Sequence, residues 1–217
     1  MEKIVEENYQ ADVNKGFNPI AFLRKFMFRI IKRIIDILFS LIGAIAGIPI
    51  IIIAGILIKL ETEGPIIYTQ ERAGKGGHLY MIYKLRTMHS NAEKDGVQWA
   101  QRNDSRVTKV GRVLRKTRID ELPQFINILK GEMSIVGPRP ERPHFITEFS
   151  RELPKFNERL VVKPGLTGWS QINGGYDLSP AEKLEKDLFY IENQSILLDM
   201  KIILKTIKIV ITFEGAR

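Results

Sequence analysis

Asp120 and Glu121 are adjacent carboxylates in the stretch Arg115-Lys116-Thr117-Arg118-Ile119-Asp120-Glu121-Leu122-Pro123-Gln124. Taken alone, such a pair at a helix start is an N-cap followed by an acid that suits the helix dipole. Its company changes the reading. Lys84-Leu85-Arg86, Arg112, Arg115, Arg118 and Gly137-Pro138-Arg139-Pro140 bring cations from several separate segments. A helix N-terminus beside many arginines suits a polyanion. The prolines flanking Arg139 stiffen the backbone and would fix its guanidinium, as clamping a phosphate requires. A diphosphate must be neutralised before an anion can attack it. With arginines and a divalent cation in place, one carboxylate can bind the metal while the other attacks phosphorus to give an acyl phosphate. Neighbouring residues at a helix start point in different directions, so two roles fit the spacing. The amide dipoles would also help keep Asp120 ionised.

Several elements must position these groups. Residues 66–72 and 79–85 are rich in β-branched and aromatic residues around a Gly-rich turn, which predicts a β-hairpin carrying Lys84 near its end. No Gly-Lys-Ser/Thr follows Gly74, Gly76 and Gly77, so a turn is expected there and not a phosphate loop. Residues 89–105 read as a polar loop in which Trp99 makes some contact. Residues 107–116 show helical spacing. Residues 121–130 form a short amphipathic helix with Asp120 as N-cap and Gly131 as its stop. Residues 134–141 read as a rigid turn, and a helix is expected around 143–156. Residues 163–174 form a Gly-rich loop in which Gln171 and Asn173 either contact nucleotide or sugar or stabilise the loop. A helix capped by Ser179 and Pro180 follows to about 193. No GxGxxG and no strand–helix alternation supports a dinucleotide-binding sheet.

Length and composition narrow the class. The 217 residues are enough for one domain, or a domain with a membrane anchor; with 44% hydrophobic residues, global disorder is excluded. The absence of Cys excludes disulfides and thiolate chemistry, and the three scattered His lack metal-ligand spacing. The net charge of +8 points to an anionic partner: nucleic acid, a phosphate-bearing ligand or an anionic membrane.

From Ile37 to Ile58 no residue is charged. As a straight helix this run is about 33 Å long, enough to cross a bilayer core. Both flanks are basic: Arg24, Lys25, Arg29, Lys32 and Arg33 before, Lys59, Arg72, Lys75, Lys84 and Arg86 after. Such residues favour the cytoplasmic side, so a single span would place one cluster outside. Pro49 lies near the middle. A helix that enters, bends at Ile48–Pro49 and returns fits both facts, with Ser40 as a candidate partner for freed backbone groups; a kinked spanning helix is the other reading. Residues 196–213 carry Lys201, Lys205 and Lys208 on one face of an otherwise apolar helix. That pattern fits a helix lying in the membrane interface, or one packed on the domain's own core.

Lys84-Leu85-Arg86-Thr87-Met88, the Arg115–Gln124 stretch, Gly137-Pro138-Arg139-Pro140 and Lys163-Pro164-Gly165-Leu166-Thr167-Gly168 together resemble the bacterial sugar transferase family, in the family's order and over about residues 22–213. The resemblance is to the small monotopic phosphoglycosyl transferases that start exopolysaccharide, capsule and glycoprotein glycan synthesis. It implies transfer of a sugar 1-phosphate from a UDP-sugar to undecaprenyl phosphate, with release of UMP, Mg²⁺ as cofactor and a covalent phosphosugar intermediate. Asp120 then matches the nucleophile, Glu121 the Mg²⁺ ligand and Arg139 the phosphate clamp. Lys84, Arg86, Arg115 and Gln171 fall at substrate-binding positions. The implied fold class is α+β, mainly α. It has a re-entrant membrane helix broken near Pro49, a helix-associated β-hairpin and interfacial amphipathic helices. Expected boundaries are a polar arm at 1–20, the re-entrant segment at 21–60 and a cytoplasmic catalytic domain at 61–217, on the inner leaflet of a bacterial membrane. A homodimer is compatible with the family. One departure stands out: where many members read Gln-x-x-Gly-Arg, this chain has Gln171-Ile172-Asn173-Gly174-Gly175.

Rival readings are a membrane-bound glycosyltransferase that releases UDP, a membrane-tethered nucleic-acid binder and a scaffold without chemistry. Acids interleaved with the bases, and the lack of a reading motif, argue against nucleic acid. The sugar, the glycan pathway and the effect of Gly175 are not encoded in these motifs.

Overall fold

The computed structural model describes residues 19–94, 96 and 104–212. Residues 1–18 of the polar arm expected over 1–20, together with Trp99 and Phe213, lie outside them; residues 19 and 20 already belong to the first helix.

Helix α1 (Pro19–Glu61) is 43 residues long. Pro49 lies within it, and the helix continues on both sides rather than dividing into two elements. Two faces of different chemistry run along it. Asp36, Ser40, Gly43, Gly47, Ala54 and Ile58 recur at helical spacing and face the rest of the protein, whereas Ile37, Leu41, Ile45, Ile48, Ile52 and Ile56 are exposed. Only 22% of its most apolar 18-residue window is buried, so the helix leaves most of its apolar surface uncovered by the rest of the described residues. It is long and apolar enough to cross a membrane. Glycine makes the inward face close-fitting: a Cβ on Gly43 would lie 2.5 Å from the Phe125 ring, and one on Gly47 would touch Leu122. The hydroxyl of Ser40, expected to serve the backbone near Pro49, is buried without a hydrogen-bond partner among the described residues.

The rest of the chain is a mainly helical unit around two small sheets. Strands β1 (Ile67–Ala73) and β2 (Leu79–Leu85) form the expected hairpin, with Ile67 opposite Leu85 and Tyr68 opposite Lys84. Helix α2 (Lys109–Lys116) is capped by Thr108, whose hydroxyl accepts from Gly111 N at 2.9 Å. A 3-10 turn (Ile119–Glu121) leads into helix α3 (Gln124–Lys130), which Gly131 ends in the left-handed conformation. Strands β3 (Ser134–Val136) and β4 (Gly165–Thr167) pair in parallel, so the expected turn at 134–141 begins as strand and the Gly-rich loop contains one. Helix α4 (Pro143–Glu152) stops at Leu153, and the remainder of the helix expected to about 156 is a 3-10 segment (Pro154–Val161). Short α5 (Trp169–Ile172) and α6 (Pro180–Glu192) follow, the latter with a full Ser179–Glu182 capping box.

Helix α7 (Ile196–Thr212) packs on the domain's own core, one of the two readings of its sequence. It buries Asp199, Ile202 and Ile203 in the core beside Ile128, Met133, Val136 and Tyr190. Its other face exposes Leu197, Leu204, Ile207 and Ile211 alongside Lys201, Lys205 and Lys208.

Polar bonds tie α1 to this unit along its length. Lys32 Nζ donates to Asp199 Oδ2 at 2.6 Å, and Arg33 donates to the carbonyls of Ile128 and Leu129 at the end of α3. At the other end, the Glu61 carboxylate accepts from Lys109 N and Val110 N, the first amides of α2. Ala54 and Ile58 pack with Leu85 and Leu114, which joins α1 to both β2 and α2.

The α2–β2 junction has no slack. A Cβ on Gly111 would stand 2.0 Å from the Thr87 carbonyl oxygen. Gly111→Ala should destabilise the protein by roughly 1–3 kcal/mol, read as a lowered melting temperature of the full chain in detergent.

Candidate active site

Helix α2 is C-capped by Thr117, and Arg118 takes φ 60°, ψ 11°, the left-handed region. It is the only non-glycine residue at positive φ among those described. That conformation costs on the order of 1–2 kcal/mol and reverses the chain into the 3-10 turn, placing both carboxylates inside. Asp120 and Glu121 are each less than a tenth exposed. Asp120 is therefore not the N-cap of α3: Pro123 occupies that position without a side-chain cap, because the tight turn intervenes.

Cations reach the pair from two other elements. Lys84 Nζ from β2 and Arg139 Nη2 from the Pro-Arg-Pro loop each donate to Glu121 Oε1 at 2.8 Å. Among the described residues no ion pair is made to Asp120. The two acids consequently diverge. Burial opposes the charge on Glu121, but Arg139 and Lys84 outweigh it and hold its carboxyl well below the usual carboxylate range. Burial and then the neighbouring Glu121 charge push Asp120 up to about 6, against the weaker pull of Lys84, Arg115 and Arg139. The expectation that amide dipoles keep Asp120 readily ionised is thus reversed: desolvation dominates in a turn that is not the first turn of an α-helix.

Two buried devices align the cations. Asn127, fully buried on α3, accepts from Tyr83 N at 3.1 Å and donates to Met81 O at 2.7 Å. It binds α3 to the free edge of β2 and so sets Lys84 against the carboxylate turn. The Pro-Arg-Pro loop is held from both sides. Gly137 N donates to Thr167 O (2.9 Å) and Gly165 N to Pro138 O (2.8 Å). A Cβ on Gly165 would collide with Gly137 at 2.1 Å, so glycine is what permits this approach. Arg72 donates to Pro140 O (3.0 Å) and Arg159 to Arg139 O (3.1 Å), with Arg159 in turn paired to buried Asp187 at 2.6 Å.

The sequence-derived site residues divide. Lys84, Asp120, Glu121 and Arg139 come together. Arg115 donates through Nε to Thr87 Oγ1 at 2.8 Å and acts on Asp120 through its charge. Arg86 is buried and directed at the backbone, donating to the carbonyls of Glu63 and Thr62 just beyond α1. Gln171 donates through Nε2 to Leu166 O at 2.9 Å within its own loop, and its Oε1 is buried without a hydrogen-bond partner among the described residues. Gly175 lies at φ +58° with nothing within 4 Å of an added Cβ, so the family's Arg would have room there but an unfavourable backbone. Gln124 and Arg72 were not expected, yet both line the depression beside Lys84, Ile82, Arg139 and Pro140. Gln124 has a buried, unpaired Nε2. Its place at the end of the Asp-Glu-Leu-Pro-Gln run was the available signal.

The family described as "Bacterial sugar transferase" matches residues 27–213. A UDP-N-acetylgalactosamine-undecaprenyl-phosphate N-acetylgalactosaminephosphotransferase of Aeromonas hydrophila is 46% identical over 194 residues, covering 88% of this chain and 46% of its own. The chain therefore spans about half the length of that relative. A UDP-glucose:undecaprenyl-phosphate glucose-1-phosphate transferase of Caulobacter vibrioides is 39% identical over 190 residues, 85% of this chain and 71% of the relative. An exopolysaccharide production protein, PSS, of Rhizobium leguminosarum bv. phaseoli is 36% identical over 187 residues, 82% of this chain and 94% of the relative. The family match starts within α1, passes through the hairpin, the carboxylate turn and the Pro-Arg-Pro loop, and reaches beyond α7. The chain belongs to the bacterial sugar transferase family.

Proposed function

We propose that the protein transfers a sugar 1-phosphate from a UDP-sugar to undecaprenyl phosphate, releasing UMP, through a phosphosugar acyl phosphate on Asp120. The observation that carries this reading is the asymmetry of the buried pair, in which, among the described residues, Glu121 takes both ion pairs and Asp120 takes none. A carboxylate without a bound cation keeps its lone pairs for phosphorus. Family membership and the names of the relatives support the same reaction class, and those names differ in the sugar.

In the first step an Asp120 carboxylate oxygen attacks the sugar-bearing phosphorus. The bond from that phosphorus to the bridging oxygen breaks, and UMP leaves with the electron pair. In the second, a phosphate oxygen of undecaprenyl phosphate attacks the same phosphorus, the Asp120–phosphorus bond breaks and the carboxylate is restored. Lys84 and Arg139 meet the negative charge of the phosphates, and the water-poor turn strengthens that attraction. The donor set fits Mg²⁺, which is commonly held by one or two carboxylates together with substrate phosphates. Glu121, kept ionised, would hold it, with Asp120 adjacent; the ion would supply further neutralisation of the diphosphate.

For the membrane, we read α1 as re-entrant from the cytoplasmic face. Contacts with one unit extend from Lys32 to Glu61, which supports placing both basic flanks on one side. Pro49 lacks the amide that would bond the Ile45 carbonyl, and a bend would centre there. The exposed face of α7, with its three lysines, suits the headgroup layer.

Three outcomes are expected. The purified chain with Mg²⁺, undecaprenyl phosphate and UDP-sugars (UDP-N-acetylgalactosamine and UDP-glucose first) should release UMP. Asp120→Asn should lower this by at least roughly 10³-fold and lose the radiolabelled sugar phosphate trapped on the wild type. UDP as product would replace the proposal with direct glycosyl transfer, and the absence of any nucleotide would favour a scaffold. Second, kcat/KM for the donor should fall as pH drops through about 6, where Asp120 takes up its proton. Because the folded carboxyl holds that proton more tightly than the unfolded chain, stability from this group declines between pH 4 and 6 as pH rises. Asp120→Asn should therefore melt above wild type at neutral pH, with the gap closing toward pH 4. Third, since the chain has no Cys, single cysteines at Lys25 and Lys59 can report topology. Both should react with an impermeant thiol reagent only in inverted vesicles; reaction of one from each side would mean a spanning helix.

A further inference from the structure

Asp36 is the only acid in α1 before Glu61, and it lies at the start of the uncharged run. It is 3% exposed. An ionisable group at such a position is costly and calls for a role. Its Oδ1 accepts from Ser134 Oγ at 2.9 Å and from Ile135 N at 2.8 Å, the first two residues of β3. Only Val136, Gly137 and Pro138 separate this grip from Arg139. A second tether reaches the same strand. Lys32 and the Tyr190 hydroxyl both donate to Asp199, at 2.6 and 2.8 Å, and that hydroxyl lies 3.3 Å from the Val136 carbonyl.

The segment between grip and clamp cannot absorb a shift. β3 is paired to β4, Gly137 and Pro138 are bonded to Thr167 and Gly165, and the carbonyls of Arg139 and Pro140 are held by Arg159 and Arg72. A displacement of β3 relative to α1 is therefore passed to the Arg139 guanidinium. The carboxylate turn is seated on the same helix independently, through Leu122 and Phe125 against Gly47 and Gly43. Helix α1 thus holds both halves of the site, the acids at one point and the clamp at another.

The geometry points to Asp36 as a positioning residue: by holding β3 it sets where Arg139 meets Glu121, so the apolar helix is part of the catalytic framework as well as an anchor. This rests on the phosphosugar-transfer reading above. The test uses the full chain in lipid nanodiscs, at a temperature where every variant is folded. Asp36→Ala should lower kcat/KM for the UDP-sugar at least roughly tenfold, while Asp36→Asn, which keeps the accepting oxygen, should stay within roughly threefold of wild type. In an Arg139→Ala background, Asp36→Ala should cost less than about threefold, because the group it acts through is gone. Full additivity in that cycle, an unaffected Asp36→Ala, or equal losses in the Asn and Ala variants would overturn the assignment. Hydrogen exchange gives a readout independent of turnover. Asp36→Ala should speed exchange at the Gly137 and Gly165 amides and leave α6 unchanged; unaltered exchange at those two amides counts against the role. A wild-type chain that releases no nucleotide would speak against the phosphosugar-transfer reading, leaving exchange alone to decide this one.

Discussion

Two neighbouring carboxylates removed from water cannot both be ionised without support, and the support here goes to one of them. Glu121 receives a lysine and an arginine on a single oxygen, and Asp120 is left with desolvation and its neighbour's charge. The rest of the molecule can be understood as delivery of that asymmetry. One cation arrives on the last residues of a hairpin, the other on a loop between two three-residue strands, and the acids on a turn entered through a left-handed arginine. None of these elements is large. Each is held in place by backbone hydrogen bonds or by glycines that admit close approach.

The apolar helix belongs to the same arrangement. Its inward face is built of small and polar residues, so that the domain can lie directly against its backbone, whereas its outward face is continuous isoleucine and leucine. A helix that merely anchored a tethered enzyme would need no such inward face. Asp36, Lys32 and Arg33 are placed where the chain passes from basic to uncharged sequence, and all three are bonded to the unit that carries the carboxylate pair.

Local signals in the sequence were sufficient for the hairpin, for the stop at Gly131 and for the Ser179 cap, since each depends on residues within a few positions. Lys84, Asp120, Glu121 and Arg139, which the fold brings together, stood out in the sequence as cations and acids in fixed motifs, but Arg86 and Gln171 were grouped with them and bond elsewhere. What was not legible is which cation meets which anion. Lys84 and Arg86 are two positions apart and of one charge, yet the strand ends at Leu85 and Arg86 turns to carbonyls beyond α1, a partnership more than twenty residues away in sequence. Strands β3 and β4 are too short to show alternation and pair across about thirty residues, so nothing local marks them. The raised Asp120 pKa had the same origin: burial is a property of the assembled fold, and dipole arguments made without it gave the opposite sign.

The bonds between Lys32 and Asp199, and between Asp36 and β3, have a temporal consequence. During synthesis α1 emerges long before its partners, separated from them by about a hundred residues or more. Until β3 and α7 are made, its buried acid has no fixed bond, and deep immersion in hydrocarbon would strand that charge. Contacts of such sequence separation form late and slowly. On the membrane placement proposed above, the helix would wait near the headgroups, where Asp36 stays hydrated, and its final depth would be set only when the last helix has docked. Folding of the unit and completion of membrane insertion would, on that placement, be a single event.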